Sequence, residues 1–254
     1  GSVMSKSKGN TVDPGEIIEK YGVDTLRLYL MSVSSPDKDM EWSHEGIEGS
    51  YRFLHKLFAL AEDKNKIKSK TIESRMYRTI KEVSQDIEAF RYSSAISKLN
   101  ILVNYLSDAD GSKKDAIKNI SLMIAPFAPH AAEELWMRLK QKGLIARAKW
   151  PRYESKKIDE KLEMAEDIIE GLIEDVRTII KLLNVKPKMI SVFIAEDWKH
   201  QLFKNLKKAE LRDIGMVIKK LRVKGREGDS IKIINSIAKN PGKLPTVILD
   251  EKYE

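Results

Sequence analysis

The residues best suited to chemistry come at the start of the chain. Met4-Ser5-Lys6-Ser7-Lys8-Gly9-Asn10 alternates lysine with serine and ends on glycine and asparagine. That combination suits phosphate. An ammonium group is a compact point charge, a hydroxyl donates a hydrogen bond, and glycine lets the backbone approach an anion. On composition alone it is a basic loop, and a solvated basic loop stands beside the phosphate reading. A second concentration of charge lies at 181–226, with 13 Lys or Arg against 4 Asp or Glu. It follows an acidic stretch, 159–181, with 8 acidic and 3 basic residues. A basic excess of this size points to a polyanion, because each Lys or Arg that meets a phosphate releases a counterion. A solvated lysine-rich surface is the alternative. Within this stretch Lys207, Lys208, Lys219, Lys220, Arg222, Lys224 and Arg226 are the candidate phosphate contacts.

Other chemistries are narrowed. The absence of Cys excludes disulfides, thiolate metal sites and a cysteine nucleophile. His44, His55, His130 and His200 stand apart, and no metal site is expected. Glu133 and Glu134 are adjacent on an expected helix and project in different directions, so they are not a paired acid and base. Trp42, Tyr51, Phe53 and Trp136 read as packing residues rather than base-stacking platforms. Arg27 and Arg52 read as structural, and His130 as a surface or packing histidine.

These residues need a scaffold, and the apolar spacing describes one. The chain has 254 residues, enough for about two domains, and few Gly or Pro, which favours helices. Asp13, Pro14 and Glu16 form a capping pattern for a helix that ends at Gly22. Asp24 is expected to cap the next helix, which stops at Ser34-Ser35-Pro36. Ser43 caps a long helix whose Ile47, Tyr51, Leu54, Leu57, Phe58 and Ala61 share one face. Further helices are expected at 73–89, 93–107, 112–124 and 129–139, with Ile96, Leu99, Val103 and Leu106 as one stripe. Short connections between amphipathic helices read as an antiparallel bundle. From 154 onward a long helix, 159–183, carries a strong apolar stripe opposite a charged face. A strand is expected at 189–194, helices at 197–208, 211–221 and 230–238, and a strand at 246–249. The expected fold is therefore mainly α: an antiparallel helix bundle followed by a small α/β C-terminal domain. No apolar run reaches the roughly 18 residues that would span a bilayer. No secretory signal is visible, Gly1-Ser2 reads as a cleavage remnant, and a cytoplasmic protein without membrane contact is expected.

The loop also carries a resemblance. Met4, Ser5, Lys6 and Ser7 match the lysine-methionine-serine-lysine-serine signature of class I aminoacyl-tRNA synthetases. Val3 stands where that family has its first lysine, so a two-lysine clamp does not carry over, and Lys8 is the conceivable substitute. Gly9-Asn10 resembles the leucyl, isoleucyl and valyl subgroup, as does Tyr21-Gly22-Val23-Asp24-Thr25-Leu26-Arg27-Leu28-Tyr29. Asp39-Met40-Glu41-Trp42-Ser43, with Gly46-Ile47-Glu48-Gly49-Ser50-Tyr51-Arg52-Phe53-Leu54, is similar to leucyl-tRNA synthetases in particular. Ala125-Pro126-Phe127-Ala128-Pro129-His130 with Glu133-Glu134-Leu135-Trp136 resembles the last helices of the anticodon-binding domain. The resemblance is firm over 1–150; from 154 the chain resembles the C-terminal domain of archaeal-type leucyl enzymes.

The resemblance implies a C-terminal part of a leucyl-tRNA synthetase in three pieces. These are a signature loop and helical unit at 1–42, a helix-bundle tRNA-binding domain at 43–153, and a C-terminal α/β domain contacting tRNA at 154–254. It implies that Met4, Ser5, Lys6, Ser7 and Lys8 bind ATP phosphates and that Lys6 stabilises the pyrophosphate leaving group. It implies Mg2+ accompanying ATP, leucine and tRNA(Leu) as partners, and a monomer. The family's histidine-containing signature has no counterpart here, so the chain alone is expected to be inactive. An isoleucyl or valyl enzyme, or a non-catalytic stand-alone tRNA-binding protein, remain the alternative readings.

Overall fold

The computed structural model describes residues 4–34, 38–184, 187, 189–190, 196–209 and 214–240. Two compact units, 1–163 and 164–254, divide the chain. No strand occurs among the described residues, and no helix among them is long and apolar enough to cross a membrane.

The first unit holds α1 (Pro14–Tyr21), α2 (Val23–Val33), α3 (His44–Ala61), α4 (Lys70–Glu88), α5 (Tyr92–Asp108), α6 (Lys114–Ile124) and α7 (Pro129–Arg138). A local side-chain cap starts three of them, α1, α3 and α4. The Asp13 carboxylate accepts from the Gly15 N–H at 2.8 Å, with Pro14 in the first turn. Ser43 and Ser69 accept from Gly46 and Ile72, capping α3 and α4. Ser69 is also why α4 begins at Lys70, before the expected 73. Gly22, at φ +85°, allows α1 to end and α2 to begin without a linker.

α4 and α5 are joined by three residues and pack along each other, hence antiparallel. The expected stripe of Ile96, Leu99, Val103 and Leu106 is buried, while Ile101 on the opposite side is 64% exposed. Leu57, Ile80, Val83, Ile117, Ile120, Phe127 and Leu135 complete the main core. A buried carboxylate fastens the α4–α5 corner. Asp86 accepts from Lys98 at 2.6 Å, Ser94 at 2.7 Å and Arg91 at 2.9 Å. Glu163, also buried, accepts from the Ser74 hydroxyl and pairs with Arg78 at 3.0 Å.

In the second unit, α8 (Glu160–Leu183) begins within the first unit and continues into it. α9 (Asp197–Lys207), α10 (Ile214–Leu221) and α11 (Glu227–Lys239) bury Leu202, Leu206, Val217, Ile234 and Ile237 between them. Two expectations change here. The stripe of α8 forms as a helix face, but Ile169, Leu172, Ile179 and Leu183 are 53%, 41%, 53% and 65% exposed. The α/β character of this unit is not seen: its described elements are helices. Met189 and Ile190 have no regular structure, and the rest of the two expected strands, 191–194 and 246–249, lies outside the described residues.

Candidate phosphate loop and basic surface

The lysine-serine loop folds on itself. Lys6–Lys8 form a single 3-10 turn, closed by the Lys8 N–H donating to the Ser5 carbonyl at 3.1 Å. The Asn10 side chain reaches back and accepts from the Ser5 N–H at 2.9 Å. Gly9, at φ +62°, makes that return possible, since a residue with a Cβ is strained there. The Ser5 and Ser7 hydroxyls lie 3.1 Å apart, and Ser7 and Lys8 are exposed. Two neighbouring hydroxyls beside the exposed Lys8 make a set of hydrogen-bond donors and positive charge. Such a set can meet the oxygens of a polyphosphate.

The loop is tied to the bundle in two steps. Val12, two residues past Asn10, packs with Tyr21 and Trp42 against a small core of Ile17, Leu26, Tyr29 and Ile47. Tyr29 is fully buried, its ring edge-on to Trp42 at 5.0 Å, and its hydroxyl accepts from the Ser43 N–H at 2.7 Å. α2 then holds both the α6–α7 turn and the first turn of α7. Asp24 Oδ2 accepts from the Ala131 N–H at 2.6 Å, and Oδ1 lies 3.0 Å from His130 Nδ1. Arg27, one turn on, donates to the carbonyls of Pro126 at 3.0 Å and Phe127 at 3.1 Å.

Asp24 was expected to cap its own helix. Instead it lies inside α2, whose N-cap Gly22 supplies no side chain, and it caps α7, whose own N-cap Ala128 supplies none either. A carboxylate at a helix N-terminus meets both unsatisfied N–H groups and the positive end of the helix dipole. No local pattern in the sequence marks this pairing, because the partners are 107 residues apart. The bonds of Arg27 to the α6–α7 turn are structural, whereas Arg52 is exposed and lies 3.8 Å from Glu48 on the surface of α3. Phe53 and Trp136 are buried, whereas Tyr51 is 37% exposed and edge-on to Tyr21.

The second set of candidates falls in the other unit. Lys207 and Lys208 end α9, Lys219 and Lys220 end α10, and Arg222, Lys224 and Arg226 follow before α11. Lysines in last turns also favour the negative end of the helix dipole. Lys208, Lys219, Lys220, Arg222 and Lys224 are exposed. Arg226 is engaged with Glu196 at 3.1 Å, and Glu196 also accepts from Trp198 Nε1 at 2.7 Å.

Comparison with known proteins agrees with this arrangement. Residues 1–43 match the family model of class I tRNA synthetases (I, L, M and V), and residues 69–194 match the anticodon-binding domain of tRNA ligase. A signature loop leading into a helix bundle therefore defines a class I tRNA synthetase chain of that group. Over most of its length the chain is similar to one kind of synthetase. A leucine–tRNA ligase of Thermosipho melanesiensis is 35% identical over 246 residues, covering 76% of this chain and 30% of the relative. One of Pseudothermotoga lettingae is 32% identical over 232 residues, covering 80% of this chain and 28% of the relative. One of Amoebophilus asiaticus reaches 41% over 157 residues, 59% of this chain and 17% of the relative.

The chain belongs to the leucine–tRNA ligase family, and it spans about 30% of the length of the first of these relatives. The isoleucyl, valyl and stand-alone alternatives are not favoured. The fold is also that of part of a solved structure, the ternary complex of Agrobacterium radiobacter K84 agnB2 LeuRS with tRNA and LeuAMS. The TM-score is 0.54 at 23% identity, over 61% of this chain and 23% of that one.

Proposed function

We propose that the chain supplies the ATP-phosphate loop and the tRNA-binding surface of an enzyme that joins leucine to tRNA(Leu) at the expense of ATP. The observation that carries this reading is the similarity to leucine–tRNA ligases over most of the chain, with the phosphate loop joined to a helix bundle. The division of labour would follow three parts: 1–42 for the loop and its helical support, 43–153 for tRNA binding by the bundle, and 154–254 for further tRNA contact. Met4, Ser5, Lys6, Ser7 and Lys8 would hold the ATP phosphates. Lys6 would oppose the negative charge that builds on the leaving pyrophosphate, which is stabilisation of the transition state rather than of bound ATP. Asp24 and Arg27 act further back, as positioning residues that keep the loop's support fixed to the bundle.

Mg2+ would enter with the ATP phosphates, as is usual for this cation; among the described residues no group of three His, Asp or Glu could hold a metal. Lys207, Lys208, Lys219, Lys220, Arg222, Lys224 and Arg226 would meet tRNA phosphates, giving affinity without reading bases. The enzyme would act as a cytoplasmic monomer, and this chain alone would not activate leucine, since the loop supplies only the phosphate side of the reaction.

The test is tRNA binding by the 254-residue chain over a salt series, comparing leucine-accepting with isoleucine- and valine-accepting transcripts. Preference for the leucine acceptor, weakening steeply with salt, is the expected result. Equal binding to all three removes tRNA selectivity from this chain, and no binding at low salt refutes its role as a tRNA surface.

A further inference from the structure

The second unit leaves two faces open to solvent, and their chemistries match. Along α8, Ile168, Ile169, Leu172, Ile173 and Ile179 are 45%, 53%, 41%, 44% and 53% exposed. Steps of three and four residues put them on one side of the helix. A stripe left in water forgoes the burial that usually holds an amphipathic helix in place. Glu166, Glu170 and Glu174 follow one edge of it at four-residue steps, and Asp175 stands at the other. The complementary face is the outer side of α10. Val217 is buried, and Ile218 and Leu221 pack against the same core, so Met216 points away and is 66% exposed. Lys219 and Lys220, three and four residues on, flank it and are exposed.

An apolar residue between two cations is the complement of an apolar stripe between carboxylates. The wider charge has the same sense: 8 acidic against 3 basic residues over 159–181, and 13 basic against 4 acidic over 181–226. A second copy of α8 is a poor occupant of the stripe, because the excess of carboxylates would be repeated across the pair. An anionic membrane surface repels the same groups. Reach favours an occupant from the same unit. The connection 184–196, at up to about 3.3 Å per residue, exceeds the roughly 22 Å of helix between Ile168 and Leu183. Resting on the tRNA-binding reading above, we propose that α10 seats Met216 on the apolar stripe of α8, and that this internal contact competes with tRNA for Lys219 and Lys220. The carboxylates of α8 then stand in for RNA phosphates, and tRNA has to displace the helix to reach the lysines. Apparent affinity for RNA is lowered to the fraction of chains in which the contact is open. The two charge blocks were visible in the sequence, but not that the stripe beside one of them stays in water.

Two measurements on the full chain test this. In the first, the variant carrying Ile169→Gln and Leu172→Gln is compared with the unaltered chain in tRNA binding over a salt series. Both positions are exposed and glutamine suits a helix, so the fold is kept, and the net charge does not change. With the contact closed in about seven to nine chains in ten, opening it should raise tRNA affinity about three- to tenfold at low salt. Unchanged or lower affinity overturns the proposal and leaves the tRNA-binding reading intact. In the second, a spin label is placed on α8 through Thr178→Cys, in a chain with no other cysteine, and the Met216 methyl resonance is followed. The label should broaden that resonance at low salt, and excess tRNA or the two glutamines should restore it. No broadening, or broadening that survives the glutamines, overturns the contact. Broadening lost with the glutamines but without a gain in affinity means packing without competition, which overturns the proposal as well. If neither the unaltered chain nor the glutamine variant binds tRNA, the broader reading fails and the competition fails with it, whatever the label reports.

Discussion

Replacing Asp24 by alanine removes the cap of α7, and the structure lets the loss be divided between its two limbs. One limb is buried: Oδ2 accepts from the Ala131 N–H at 2.6 Å, and Asp24 is 7% exposed. Without it, Ala131 keeps a buried donor with no partner, at a cost of about 1–3 kcal/mol. The lost negative charge at the helix N-terminus adds about 0.3–1 kcal/mol. The second limb is the His130 ring, whose side chain is 77% exposed, so its share is only a few tenths of a kcal/mol. Asp24→Ala should therefore destabilise the first unit by about 2–4 kcal/mol, a fall in Tm of roughly 5–12 °C for a unit of this size. Asp24→Asn, which keeps one acceptor for Ala131, should cost about 1 kcal/mol. His130→Ala should stay within about 0.5 kcal/mol. Urea unfolding gives the totals, and hydrogen exchange at the Ala131 amide reads the cap directly, faster by a factor of ten or more. If Asp24→Ala shifts stability by less than about 0.5 kcal/mol, or if His130→Ala costs as much as Asp24→Ala, the interhelical cap is not what holds α2 to α7.

Three more outcomes follow from buried groups and close approaches. Burial would raise the Asp86 carboxyl, but hydrogen bonds from Lys98, Ser94 and Arg91 outweigh it and hold the group below its ordinary 3.8. A depressed folded value means that the stability from Asp86 is complete above the unfolded value, about 3.9, and is lost as pH falls through the folded one. Asp86→Asn should thus cost about 2–3 kcal/mol at pH 7, and the gap from the unaltered chain should narrow below about pH 4 in urea titrations. A Cβ on Gly46 would lie 2.6 Å from Cε2 of the fully buried Tyr29, so Gly46→Ala should destabilise by about 1–3 kcal/mol. Gly49→Ala in the same helix meets nothing within 4 Å and should stabilise by about 0.5–1 kcal/mol; equal effects at the two positions would refute the packing argument. Glu163→Ala removes the close carboxylate of Arg78 and the acceptor of the Ser74 hydroxyl and should cost about 3 kcal/mol in the same assay, while a neutral result would make this buried group dispensable.

Local patterns carried much of the helical framework. Asp13, Ser43 and the 3.6-residue stripes of α3 and α5 are statements about neighbours three and four residues apart, and each element they marked is present. The fold of the lysine-serine loop was legible for the same reason: its residues lie within seven consecutive positions. Start points were less so, and α4 began early because a single serine outranked the apolar pattern.

What tertiary structure decided is where side chains are spent once helices pack. Asp24 looked like a cap for its own helix and became the cap of another, because packing brought the Ala131 N–H of α7 within 2.6 Å of it. The face of α8 was readable as apolar, yet only packing could say that Ile169 and Leu172 stay half exposed. Periodicity reports which residues share a face; it carries no information about which face meets which, and that meeting sets where charge is buried, paired or left unpaired.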